Sequence, residues 1–450
     1  MDAIAERQRG SLSAEEQTEH SAIKKAWWRL LPVLCFSYGI AYIDRVNISF
    51  AALQMNQDLH FSATVYGLGG GLFFLSYAAF EVPSNLLLIR FGARRWIARI
   101  MLTWGALAVG MMFVKTPLQF YLMRFLLGTA EAGFFPGVLY YLTKWFPAEY
   151  RGRAVSRFYL AYPLSAAFMG AVSGSLLGLH GQLGLAGWQW LFLIEGVPAI
   201  LLSAVVFLWL PDGPERAAWL TTEERAALNR RLTRDIAEPS TREESTLVKA
   251  LLDPRVLQLG VCNLCYFSSV YAFSLSAPVV LAGITHWNAT TIGYVMSLAA
   301  LLGAVTMVLN GWSSDRSRER HLHVVMPLTL MAGAFALIGV ATAPWVVVVA
   351  YVVTFMCMTA VQAVFWLIPT DMLHGRSAAV GLAAIGSIGM FGAFIGPFAW
   401  GLARDHTGSY KAGLIALSIP YLIAAVILLF MRQSARAERA RSSLATIGIG

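Results

Sequence analysis

Apolar residues run along this chain in twelve long blocks separated by short polar segments. They fall at about 31–52, 63–89, 96–114, 117–142, 154–179 and 188–210, then at 255–283, 289–312, 322–343, 345–369, 377–403 and 412–431. A helix needs roughly 17–25 mostly apolar residues to cross a bilayer core of about 30 Å. The pattern therefore predicts an all-α polytopic membrane protein with twelve transmembrane helices.

Composition agrees. Of 450 residues, 57% are hydrophobic and 13% charged, and the mean hydropathy is +0.61. Soluble domains lie nearer 45–50% apolar and about 25% charged. The opening stretch "MDAIAERQRGSLSAEEQTEH" has no apolar core of the kind a cleavable signal carries. It reads as a disordered cytoplasmic tail, with the first span as the insertion signal. Cys35, Cys262, Cys265 and Cys357 all lie in apolar blocks, so no disulfide framework is implied. "CNLC" at 262–265 reads as two packed thiols, because a thiolate is disfavoured in apolar surroundings.

The net charge of +9 is not spread evenly. With the N-terminus inside, 29 of the 34 Lys and Arg residues fall on the cytoplasmic side, and only Lys115, Arg404 and Lys411 on the other. Arg45 and Arg124 remain within spans. The bias places both termini in the cytoplasm. It also points the basic excess at lipid headgroups, so no nucleic-acid partner is expected.

Six blocks precede the longest polar stretch and six follow it. The expected organisation is a tail (1–23), a six-helix bundle (24–211), a cytoplasmic linker (212–253), a second bundle (254–432) and a second tail (433–450). Thr221 and Glu224 have the spacing of a capping box that opens a short surface helix in the linker. The halves echo each other: "WFPAEYRGRAV" (145–155) ends the fourth span and "LIPTDMLHGRSAAV" (367–380) the tenth. Pro147, Gly152 and Arg153 correspond to Pro369, Gly375 and Arg376 at offsets of 222–223. "RFGARR" (90–95) likewise parallels "DRSRER" (315–320). Parallel repeats of this kind build one large class of carriers, with the substrate site between the halves at mid-depth.

Charges inside the spans are the candidate chemistry. A charged group at mid-membrane costs at least ~2.5–3.5 kcal/mol and usually faces a polar cavity. "IAYIDRVNISF" (40–50) carries Asp44 and Arg45; the fourth span carries Arg124 and Glu131. Arg124, Gly128, Glu131 and Phe135 recur at i, i+4, i+7 and i+11, hence on one helical face. Tyr38, Tyr42 and Arg45 share a face of the first span, with Asp44 one step around. Two readings are open. The acids and guanidiniums neutralise each other structurally, or they form a switch. In the second reading, protonating Asp44 and Glu131 leaves two uncompensated Arg charges that a bound carboxylate would balance. Proton and anion loading then favour each other reciprocally. Tyr77 lies on a Tyr66–Gly70–Phe73–Tyr77 stripe that either lines a cavity or packs.

"GWSSDRSRER" (311–320) resembles the G-x-x-x-D-R-x-x-x-R loop of the major facilitator superfamily. "YIDRVN", "FEVPSNLLL", "GARRWIARIM", "RFLLGTAEAGFFPG" and "WFPAEYRGRA" together resemble its anion:cation symporter family, in particular bacterial tartrate, phthalate, hydroxyphenylacetate and sugar-acid carriers. The resemblance covers about residues 24–432. It implies a proton-coupled symporter of the bacterial inner membrane that takes up a small organic acid by alternating access. It also implies Asp44 and Glu131 as protonation sites, Arg45 as the contact to the substrate carboxylate, Arg124 as an ionic partner, and Tyr42 and Tyr77 as cavity lining. Arg90, Asp315 and Arg316 match the superfamily's gating loops, although Ile89 stands where an Asp normally precedes Arg90. Glu81, near that loop, could substitute for it.

Some positions depart from the family pattern. "IGSIGMFGAFIGP" (385–397) carries Gly386 and Met390 where two asparagines are common, and Ser276 stands in place of a common Trp. The losses suit a bulkier or less hydroxylated carboxylate than a sugar acid. Gln362 and Trp366 in the tenth span, and Asn263 and Tyr266 in the seventh, could supply replacement contacts or simply join helices. Ala166–Gly170–Gly174–Gly178 and Gly389–Ala393–Pro397 form small-residue stripes suited to close helix packing. The fifth span lacks the G-P-x-x-G-G signature of drug–proton antiporters.

The eight histidines show no ligand spacing, and no nucleotide loop or nucleophile motif is present. The expectation is a carrier rather than an enzyme, with no cofactor beyond the coupling proton and no metal, acting as a monomer. Organic-anion uniport or antiport, and a receptor built on a carrier fold, are the alternatives.

Overall fold

The computed structural model describes residues 14–237, 252–373 and 375–447. Residues 1–13 of the expected tail, 238–251 of the linker and 448–450 lie outside it. So do the side chains of 374–379, Arg376 among them, and of 435–447. Twelve helices are long and apolar enough to cross a membrane. The first six are Glu15–Asp58, Ala63–Phe91, Ala93–Phe113, Pro117–Thr143, Ala148–Leu177 and Gly187–Trp209. The second six are Pro254–Thr285, Ala289–Ser317, Leu322–Val340, Pro344–Met372, Val380–Thr407 and Tyr410–Ser434. They form two six-helix bundles.

Local chemistry sets the helix ends. Thr116 accepts the Gln119 N–H with Pro117 at the first helical position. Asp253 does the same for Arg255 ahead of Pro254, and Asn288 for Thr291 at 2.8 Å. Each cap satisfies an amide that the helix itself leaves orphaned. The fourth span is interrupted: its first helix ends at Glu131, Gly133 turns through φ +83°, and a second helix runs Phe134–Thr143. Only glycine adopts that turn cheaply, and a Cβ there would stand 2.5 Å from Ser84 Oγ.

The halves meet along the fifth-span stripe and at Pro397 of the eleventh, whereas Gly389 packs on Asn263 within its own half. On the fifth span Gly170 backs onto the Gly293 carbonyl and Gly174 onto Thr290, and the Ser297 hydroxyl donates to the Ala167 carbonyl at 2.6 Å. Gly67 and Gly71 of the second span lie against Pro397 and Phe394 of the eleventh, and Gly401 against Ala63. Asp405, at the end of the eleventh span, caps the second span across the divide, accepting the N–H of Ala63 at 3.1 Å and of Thr64 at 2.8 Å. Tyr66 donates to the Leu275 carbonyl at 2.8 Å. These contacts lie toward the membrane face opposite the linker. That face, the far face, is closed.

On the near face the first helix begins at Ala14, so residues 14–23, expected in the tail, form helix. The reason is a partner. The linker helix Thr222–Ala237 is opened by the expected capping box, with Glu224 N–H donating to Thr221 Oγ1 and Thr221 N–H to Glu224 Oε2. Glu224 also accepts from Ser21 and Lys25, both at 2.8 Å, and Arg230 donates to Glu15. Burial alone would raise the Glu224 carboxyl. Bonds from Lys25, the Thr221 backbone and Ser21 outweigh it and hold the group below the ordinary glutamate range. Its stabilising contribution is therefore full above that range and lost as pH falls through the lowered value. Spin labels on the two helices are expected to report undocking under acid, and Glu224→Gln to report it at neutral pH.

Candidate functional site

Neighbouring side chains on a helix point about 100° apart, so Asp44 and Arg45 do not pair with each other. Arg45 reaches the fourth span, donating from Nε at 2.9 Å and Nη2 at 2.6 Å to Glu131 Oε1. Asp44 lies within electrostatic reach of Arg124 but makes no ion pair with it. The resemblance makes Arg124 an ionic partner. Here the ion pair to Glu131 is Arg45's, and Arg124 acts at longer range on both Asp44 and Glu131. Asp44, Arg124 and Glu131 are each 2% exposed or less. Glu131 Oε2, Asp44 Oδ2 and Arg124 Nε have no hydrogen-bond partner among the described residues. Glu131 is also the last residue before the break in its span, where the backbone stops supplying helical bonds.

The aromatic stripe of the second span forms one wall. Phe73 lies under both guanidiniums, 4.6 Å from Arg124 and 5.7 Å from Arg45, and Tyr77 lies 5.0 Å from Arg45. A ring face stabilises a cation by about 0.5–1 kcal/mol, more when dry, so Phe73 separates two like charges while attracting each. Tyr42 packs edge-on against Tyr162 of the fifth span at 4.2 Å. The second half contributes Tyr271, which lies close enough to Arg45 to feel its charge and whose ring lies 4.1 Å from Phe74. Gln362 and Trp366 are half-buried, and Trp366 packs on Phe365 beside Gly386. They lie outside the ion-pair cluster. Asn263 and Tyr266 join helices, donating to the Ile385 and Met358 carbonyls at 3.1 and 3.0 Å.

One charged group of the buried cluster was not singled out from the sequence. Glu195 of the sixth span is 5% exposed and accepts a bond from Asn47, one turn from Asp44. Its signal was a lone acid in "WLFLIEGVPAI", the same signal that marks Asp44. Asp44 Oδ2, Asn47 Oδ1 and Glu195 Oε1 are all buried acceptors without donors. The Trp104 indole approaches Asp44 without a well-formed bond. Glu195→Leu would strand the Asn47 amide, at a cost of about 1–3 kcal/mol. Its Tm is expected to fall by several degrees, while Glu195→Gln, which still accepts the bond, stays near wild type in a thermal-shift assay.

The loop residues also pair in ways the motifs do not state. Asp315 pairs with Arg320 rather than Arg316, and Arg320 reaches Asp371 at 3.5 Å. Arg316 lies over Trp312, and Arg90 over Phe91. Just past the sixth span, Asp212 accepts the Arg94 N–H at 3.0 Å and pairs with Arg216 at 3.2 Å.

Two bundles around a buried, charge-lined centre define a membrane carrier. The chain belongs to the major facilitator superfamily, whose model matches residues 34–397. It is 42% identical over 426 residues, 94% of each chain, to a protein carrying the name tartrate transporter in Agrobacterium vitis. It is 41% identical over 409 residues to a quinolone resistance transporter of Acinetobacter baumannii, covering 91% of this chain and 94% of that one. The resemblance to tartrate carriers read from the motifs is thus matched by a relative of that name. Among solved structures, the xylose transporter XylE from E. coli superposes with a TM-score of 0.71 at 14% identity, over 91% of this chain and 97% of that one. That likeness concerns the fold.

Proposed function

We propose that this carrier imports a small organic carboxylate together with protons across the bacterial inner membrane. The near face, which holds most of the Lys and Arg residues, is then the cytoplasmic one. The bundles at 24–211 and 254–432 act as the two rocking bodies of a monomer. The observation that carries the reading is the Arg45–Glu131 pair, its carboxylate buried and its guanidinium partly exposed, joining the first and fourth spans. While Glu131 is ionised, Arg45 is occupied. A proton on Glu131 removes the attraction and frees a planar fork that holds a carboxylate through two parallel bonds. A proton on Asp44 leaves Arg124 unbalanced in the same way. Substrate and proton thus raise each other's affinity, with Tyr77, Phe73 and Tyr271 setting the position of Arg45.

The departures at Gly386 and Ser276 favour a bulkier or less hydroxylated acid. A Cβ at Gly386 would meet only Trp366, at 3.9 Å, and the Ser276 hydroxyl is turned back to its own helix at Ala272. Counterflow into proteoliposomes across a panel of tartrate, aromatic and sugar carboxylates, with a pH-sensitive dye inside, tests the reading. Uptake of an acid with inward proton flux is expected, and uptake confined to sugar acids would refute the size argument. A second reading, export of an aromatic compound, is favoured by the relative named a quinolone resistance transporter. In the same assay it gives substrate flux opposite to proton flux.

A further inference from the structure

Away from the central site, a cavity of about 360 Å³ opens on the near face between the first span and the start of the fifth. Its lining changes along its length. His20 and Lys24 lie toward the start of the first helix, and Trp27, Leu31 and Cys35 follow along it. From His20 to Cys35 the helix rises about 22 Å, enough to run from headgroup level well into the acyl region. Arg157 enters from the fifth span and lies 4.3 Å over the Trp27 ring. The neighbouring acids Glu19 and Glu149 are turned to Arg231 at 3.9 and 3.7 Å. No ion pair of Lys24 or Arg157 occurs among the described residues. Two exposed cations beside an apolar slot, Lys24 one turn before Trp27 and the Arg157 guanidinium over its ring, suit one chemistry, a phosphodiester joined to a hydrocarbon chain.

We propose that this cavity seats an anionic phospholipid of the near-face leaflet, its phosphate against Lys24 and Arg157 and an acyl chain along Trp27, Leu31 and Cys35. The site is independent of what the carrier transports. Cys35 is partly exposed, whereas Cys262, Cys265 and Cys357 are buried, so Cys35 labelling reads occupancy. The full chain is placed in nanodiscs of phosphatidylcholine alone or with phosphatidylglycerol, and N-ethylmaleimide labelling is followed. Phosphatidylglycerol is expected to slow labelling several-fold. The double variant Lys24→Gln, Arg157→Gln is expected to lose the difference between lipids while eluting as wild type. Native mass spectrometry of wild-type protein, independent of any variant, should show phosphatidylglycerol retained over phosphatidylcholine. Equal labelling in both lipids, or no retained phosphatidylglycerol, would overturn the proposal. Protection by inorganic phosphate alone would also overturn it, because the ligand would then be a soluble anion.

Discussion

Glu131→Gln is expected to abolish proton-driven accumulation of substrate while leaving counterflow at fixed pH intact. Gln keeps the shape of the side chain but cannot be ionised, so Arg45 is never drawn away from the substrate site. Coupling between two ligands of one protein typically amounts to about 1–3 kcal/mol, or five- to 150-fold in affinity. The pH dependence of substrate affinity should shrink by a factor in that range. Removing one member of a buried pair also costs up to about 3–5 kcal/mol of stability. Gel filtration and a thermal scan therefore accompany the transport assay. Accumulation by Glu131→Gln down an imposed pH gradient would remove this residue from the coupling step.

Arg45→Lys is expected to raise the Kd for substrate by about ten- to 150-fold. The physical reason is geometric, since total charge is unchanged. Arg45 directs two N–H groups at one carboxylate oxygen and lies over Tyr77. An ammonium offers neither a fork nor a flat face. The loss of one charge-assisted hydrogen bond is worth about 1.5–3 kcal/mol, which sets the range. The concentration dependence of counterflow measures it, and an unchanged value would mean that Arg45 does not touch substrate. Maximal rate at saturating substrate should move far less.

The bundle architecture was legible because apolar length is a one-dimensional signal, and twelve blocks need no knowledge of contacts. The depth of Asp44, Arg45, Arg124 and Glu131 was legible for the same reason. Their pairing was not, because Arg45 and Glu131 lie 86 positions apart and helical phase alone does not fix which faces meet. Phe73 was legible only as one member of a stripe that lines or packs, because an aromatic in an apolar block reads either way until two guanidiniums are placed on it. Tyr271 was hidden by distance, as it arrives from the other half. Glu195 could have been read by the rule that picked out Asp44. Asp212, which accepts an amide in the first turn of the third span, lies 118 positions beyond Arg94, and no local motif connects them. The helical start at Ala14 depended on a linker helix some 200 residues away.

The cap that Asp405 places on the second span has a consequence for timing. The Ala63 and Thr64 amides belong to a first helical turn that has no internal acceptors, and their acceptor sits on the opposite bundle. Whenever the bundles part at that rim, both peptide hydrogens are handed to water. Deuterium uptake at these two positions should therefore rise in step with turnover, so the backbone itself keeps count of each opening.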